Sequence, residues 1–196
     1  MTLEQKAQEL DSQSTQPLPM GKWLPWIEAA LNCWDNPHEP TAGKNWVFLS
    51  PRYRAAATLR GAAVDRIVDP SQGARPYKIA PTSFHPAHRA LHGVGLSISS
   101  QSPVLVVLGQ AALANGSFHE ALNILALHKS VVCFLLLEEN LTEEAPIGPQ
   151  FGGNIEDLCG VYNLKYTCVD SSLKPEEAFA PLKEAHSSSK LIHLSL

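Results

Sequence analysis

The densest run of residues able to do chemistry follows an apolar stretch, Pro103-Val-Leu-Val-Val-Leu108. There the chain reads Gly109-Gln110-Ala111, with Gly116, Glu120 and Asn123 shortly after. A glycine where a buried strand gives way to a helix serves either as a tight turn or as a point where backbone N–H groups approach a phosphate. Tyr53 and Arg54 could hold a phosphate as well, although a surface ion pair on a helix is the commoner use of such a pair. His85, His88 and His92 are spaced by three and four and would share one helical face, as metal ligands do. Pro86 lies inside that run, and no nearby carboxylate or cysteine completes a ligand set. Glu138, Glu139, Glu143 and Glu144 form an acidic loop, an arrangement commonest as a solvated rim. Cys33, Cys133, Cys159 and Cys168 are scattered with no C-x-x-C pair, and read as reduced thiols of a cytoplasmic protein. No Ser-His-Asp or Cys-His arrangement stands out, so no catalytic residue is assigned.

The elements that must carry these residues alternate. Trp46 to Leu49, Pro103 to Leu108, Val131 to Leu137, Lys165 to Val169 and Leu191 to Leu196 read as strands. Between them, helical patterns cover Pro51 to Gly61, Leu91 to Ser99, Ser117 to Lys129, Ile155 to Tyr162 and Pro175 to Ala185. Residues 69–89, rich in Pro, Ser and His, show no periodicity and read as loop. Gly93 and Gly95 suit close packing of a helix. Apolar strands separated by helices imply an α/β domain, doubly wound, with a mainly parallel sheet and helices on both faces. Ligands in such sheets sit beyond the carboxyl ends of the strands, which places Gly109 where a site would be. Residues 1–20 are polar and read as a disordered arm, and 21–196 as a single domain. Trp23, Trp26 and Trp34, around a helical spacing at Ile27, Ala30 and Leu31, read as core or subunit packing.

Composition narrows the classes of function. The chain has 196 residues, with 15 Lys+Arg against 19 Asp+Glu, a net charge of −4. No basic face is concentrated enough for nucleic acid. The longest apolar run, Val131 to Leu137, is far short of the roughly 20 residues of a membrane span. The opening residues fit neither a secretory signal nor a mitochondrial transit peptide.

The Gly109 segment resembles the thiamine-diphosphate-binding fold, most closely the alpha subunit of 2-oxo-acid dehydrogenases of the pyruvate and branched-chain type. That family has Gly-Asp-Gly-Ala at this strand end and Gly-x-x-x-Glu-Ala-x-Asn in the next helix; Gly109, Gly116, Glu120, Ala121 and Asn123 fall at matching positions. Pro51-Arg-Tyr53-Arg54 looks like its Tyr-Arg-x-His-Gly segment, and Tyr166-Thr-Cys-Val-Asp170 like its Val-Asp-Gly strand end. The resemblance runs from about residue 45 to the end. It implies a cofactor-binding set of Tyr53, Arg54, Gly109, Gln110, Ala111 and Asn140.

The departures fall on the residues that would hold cofactor. Gln110 stands where the family has its Mg²⁺-binding Asp, and a carboxamide offers an oxygen but no charge to a hard dication. Ala111 replaces the second Gly, adding a Cβ where backbone should approach phosphate. The strand end reads Glu138-Glu139-Asn140 rather than Asn-Asn, so Gln110, Glu139 and Asn140 form an alternative metal set. The chain also resembles only the diphosphate half of a two-domain site whose other half presents the catalytic Glu. The expectation is a non-catalytic relative with no cofactor, acting in assembly or regulation as a homodimer or a heterodimer with a dehydrogenase-subunit-like chain. The alternative is the diphosphate half of a two-chain enzyme using thiamine diphosphate and Mg²⁺.

Overall fold

The structure is a computed structural model. It describes residues 5, 6, 8, 23–35, 45–63, 65, 69, 73–128, 130–138, 150–170, 172–179, 182 and 187–195. Of the expected arm, residues 1–4, 7 and 9–20 lie outside the described residues.

Among the described residues, five parallel strands form one sheet: β1 (Trp46–Phe48), β2 (Val104–Gly109), β3 (Val132–Leu137), β4 (Lys165–Asp170) and β5 (Lys190–Ser195). Their order is β1-β2-β3-β5-β4. Trp46 pairs with Val104, Val104 with Val132, Cys133 with Lys190, and Cys168 with His193. β2 and β3 are apolar almost throughout because both of their faces are covered; every residue of β3 is buried. Edge strand β4, Lys-Tyr-Thr-Cys-Val-Asp, has one buried residue, Val169.

Alternation sorts the side chains into two cores. Val47, Leu105, Val107, Leu135, Ile192 and Leu194 face one side, against α1 (Leu24–Trp34), a 3-10 helix (Pro51–Arg60) and α5 (Pro175–Ala178). Phe48, Val106, Leu108, Phe134, Leu136 and Leu191 face the other, against α2 (Pro86–Ser100), α3 (Gly116–Leu127) and α4 (Ile155–Val161). The chain advances across the sheet through α2, α3 and α4, then steps back from β4 to β5 through α5. Right-handed crossovers taken in opposite directions put their helices on opposite faces, which is the double winding expected from the sequence.

Several elements differ in extent from their expected form. The helix expected from Leu91 begins at Pro86, because proline at a first turn forfeits an N–H that has no helical partner anyway. Residues 86–89, read as loop, are therefore helical. The segment after β1 is a 3-10 rather than an α-helix, broken at Tyr53 (φ −111°, ψ 19°) and closed by Gly61 at φ 92°. The last helix is described only over Pro175–Ala178, and 180–181 and 183–186 lie outside the described residues. Close packing holds for Gly93, where a Cβ would come within 2.4 Å of Val106 Cγ2. It does not for Gly95, which has nothing within 4 Å. Trp23, Trp26 and Trp34 are all buried in the first core, the last completely.

Candidate functional site

The carboxyl edge of the sheet has one clear divergence. After β1 the chain turns at Ser50-Pro51 toward the first face, into the 3-10 helix. After the adjacent β2 it turns at Gly109-Gln110 toward the second, into α3. Neighbouring strands that send their chains to opposite faces leave a crevice between their ends, the usual ligand position in an open α/β sheet. Of the expected residues, Tyr53 and Arg54 follow β1, and Gly109, Gln110 and Ala111 stand at the end of β2.

Tyr53 is 2% exposed and belongs to the first core, so its ring serves packing and is not a free arm for a ligand. Arg54 is 7% exposed. Its Nη1 donates to the Pro51 carbonyl at 3.3 Å, while Nε and Nη2 are buried with no hydrogen-bond partner. Gly109 is extended (φ −93°, ψ 162°), a conformation open to any residue, so its backbone does not need glycine. Gln110 is 5% exposed and starts a short 3-10 turn, with its Oε1 buried and unpartnered. Ala111 is exposed. Glu139 and Asn140, with Glu143 and Glu144, lie outside the described residues.

A buried amide oxygen without a partner and a buried guanidinium with two nitrogens unpaired are costly, each on the order of 1–3 kcal/mol, more for the charged one. Both are polar atoms at this edge that a bound group could satisfy. Their chemistry fits an anion or a hydrogen-bond donor. It does not fit a magnesium–diphosphate pair: the Gly109 turn offers no carboxylate, and Ala111 places a Cβ there. Glu138, the carboxylate that ends β3, has its Oε2 3.5 Å from His193 Nε2.

The histidine run takes a different form from shared metal ligands. His85 stands just before α2 without a capping side-chain bond, its ring stacks on His88 at 4.3 Å between centroids, and its Nε2 lies 3.3 Å from Asn115 Nδ2. Among the described residues no three His, Cys, Asp or Glu side chains gather in metal-binding geometry. Asn115 caps α3 by accepting from Ser117 N at 2.9 Å, and Asn154 caps α4 by accepting from Glu156 N and Asp157 N.

Sequence reasoning overlooked two arginines and one polar cluster. Arg60 is buried and fully engaged with Asp35 and three carbonyls. Arg89, from α2, donates to the carbonyls of Val107, Ser83 and Phe84 and ties the helix to the end of β2. Single arginines in helical runs carry no spacing signal. The cluster of Glu138, Tyr166, Cys168 and His193 was legible only in part: Tyr166 and Cys168 are two apart on a strand, but His193 reaches them through pairing of β4 with β5.

No model of a known protein family matches the chain, and no curated protein matches it significantly.

Proposed function

We propose that this chain is a non-catalytic relative of the 2-oxo-acid dehydrogenase alpha subunit, acting in assembly or regulation through protein–protein contacts. The observation that carries it is Gln110. At the strand end where the resemblance puts a metal-binding aspartate, a buried neutral amide stands, its oxygen unpartnered. Magnesium bridging a diphosphate needs anionic oxygens in tight octahedral geometry, and one carboxamide supplies neither the charge nor the second oxygen. The proposed pairing is as a homodimer or with a dehydrogenase-subunit-like chain; the tryptophans of α1 are buried in this chain's own core and are not its contact.

The test is calorimetric titration of the full chain with thiamine diphosphate and Mg²⁺, alongside Gln110→Asp, with sedimentation of both. No heat from the native chain, together with a sedimenting dimer, is the expected result. Micromolar binding by the native chain overturns the proposal. One observation favours the second reading, the diphosphate half of a two-chain enzyme: the free Nε and Nη2 of Arg54, a cation placed for an anion. Under that reading the native chain binds and Arg54→Met does not.

A further inference from the structure

The two edges of the sheet are finished differently. At β1 the Val47 N–H donates to the Lys78 carbonyl and the Val47 carbonyl accepts from the Ala80 N–H, both at 3.0 Å, so residues 78–80 close that edge. At β4 no described residue pairs with the outer side. Natural edge strands are blunted by brevity, proline, a bulge or lysines along the strand. β4 has six residues, an unbroken register with β5, no proline, and a single lysine at its first position.

Pairing geometry fixes which main-chain groups of β4 face out. The Leu194 carbonyl accepts from the Glu138 N–H, so Leu194 of β5 faces β3. Along a parallel strand successive residues bond to alternate neighbours, so His193 faces β4. A residue in a parallel pair bonds to the neighbours of its register partner, and the partner of His193 is Cys168. Thr167 and Val169 are therefore held by β5. Tyr166, Cys168 and Asp170 turn their N–H and C=O groups outward.

A second copy of the chain fits that edge. Two identical strands related by a two-fold axis pair antiparallel, and outward residues must then meet outward residues. Centred on Cys168, the pairing sets Cys168 opposite Cys168, Tyr166 opposite Asp170, and Thr167 opposite Val169. The last is a pair of β-branched side chains, and no like charges face each other. Centred on Thr167 instead, it would set Lys165 against Val169 and Asp170 against Leu164, a charge against an apolar side chain at each end. Antiparallel pairing also brings the entry to one β4 beside the exit from the other. Val161 and Leu173, both large, apolar and exposed, stand at those two points. We propose that β4 is a homodimer contact, in which two copies join their sheets edge to edge, antiparallel and centred on Cys168. This inference rests on the homodimer of the reading above and gives that dimer its surface.

The test is sedimentation of the full chain under reducing conditions, with Cys168→Ser and Cys168→Lys, and circular dichroism to report the fold of each. Cys168 is exposed, so neither change reaches the core. The native chain and Cys168→Ser should sediment as dimers. Cys168→Lys, which sets two ammonium groups face to face, should sediment as a monomer of unchanged helicity. Oxidation of the native chain with diamide is the second measurement. Opposed residues of a hydrogen-bonded antiparallel pair have Cα atoms about 5.5 Å apart, within reach of a disulfide. Peptide mapping should find Cys168 joined to Cys168, the two thiols giving up two electrons and two protons to diamide, in preference to any link through Cys33. A dimer that persists in Cys168→Lys, or a native dimer without the Cys168 link, overturns this contact and leaves the homodimer standing. A monomeric native chain overturns both, whereas failure of the non-catalytic reading shows separately, as thiamine diphosphate binding in the calorimeter. If Cys168→Lys loses helicity, the cross-link decides.

Discussion

One short 3-10 helix holds two buried arginines six residues apart, and they are treated oppositely. Arg60 spends its guanidinium completely: Nε donates to Asp35 Oδ2 at 2.8 Å and Nη2 pairs with Oδ1. Its Nη1 reaches the Asn45 carbonyl at 2.7 Å and those of Tyr77 and Lys78 at 3.2 Å. Arg54 makes one 3.3 Å contact to Pro51 and leaves two nitrogens buried and unpaired. Burial lowers the Arg60 pKa while Asp35 raises it, yet the group stays charged, because guanidinium loses its proton so far above neutrality. A fully forked arginine that ties α1, the 3-10 helix and the Asn45 and 75–78 segments together is architecture. A buried arginine that the fold leaves half-satisfied, beside a crevice, is the residue to interrogate for binding.

The largest expected effect breaks the satisfied member of the pair. Arg60→Met strands Asp35 and three carbonyls, and should cost about 3–5 kcal/mol in urea unfolding, the range for removing one partner of a buried ion pair. A loss below about 1 kcal/mol, the surface-pair range, would mean that Arg60 is no more structural than Arg54 and would erase the contrast. Arg54→Met should go the other way. Removing a buried, incompletely paired charge while keeping the aliphatic stem should leave stability unchanged or raise it by about 1 kcal/mol. A large loss would show that Arg54 is already satisfied in the fold, and would withdraw the crevice as a place for an anion.

The smallest effect concerns a third buried cation-former, His193, which the fold keeps neutral. Its folded pKa lies below the ordinary 6.5, so between the two values the unfolded chain binds more protons than the folded one. Stability should be full above pH 6.5, decline as pH falls toward the lowered folded value, and level off below it. His193→Gln should flatten that part of the urea midpoint profile. An unchanged slope would show that His193 is not desolvated. Asp170, held below its usual range by the hydroxyl and N–H of Ser172, titrates lower and stays clear of this window.

Strand identity was open to reading from the chain because β2 and β3 are buried on both faces. Val104 to Leu108 and Val132 to Leu137 announce themselves as continuous apolar runs. The start of α2 was harder, since Pro86 inside a histidine-rich stretch looks like a breaker until it is seen to stand at the first turn. Of the expected site, the chain order placed Gly109, Gln110, Tyr53 and Arg54 after strands, which is all that motif spacing can do. It could not say that Tyr53 points into the core, that Gly109 is extended, or that two nitrogens of Arg54 go unpaired, because each depends on how the chain packs around them.

Local pattern by itself therefore determined the α/β alternation, the two-sided burial of the central strands, and the place of the neutral amide Gln110 just after the second apolar run. Those are properties of residue type and period. Only the tertiary structure decided the strand order β1-β2-β3-β5-β4, the split in fate between Arg54 and Arg60, and the meeting of Glu138, Tyr166, Cys168 and His193. The reason is physical: pairing register and burial are non-local. A polar side chain acquires its partners, or fails to, only when strands far apart in the chain are set about 5 Å from one another.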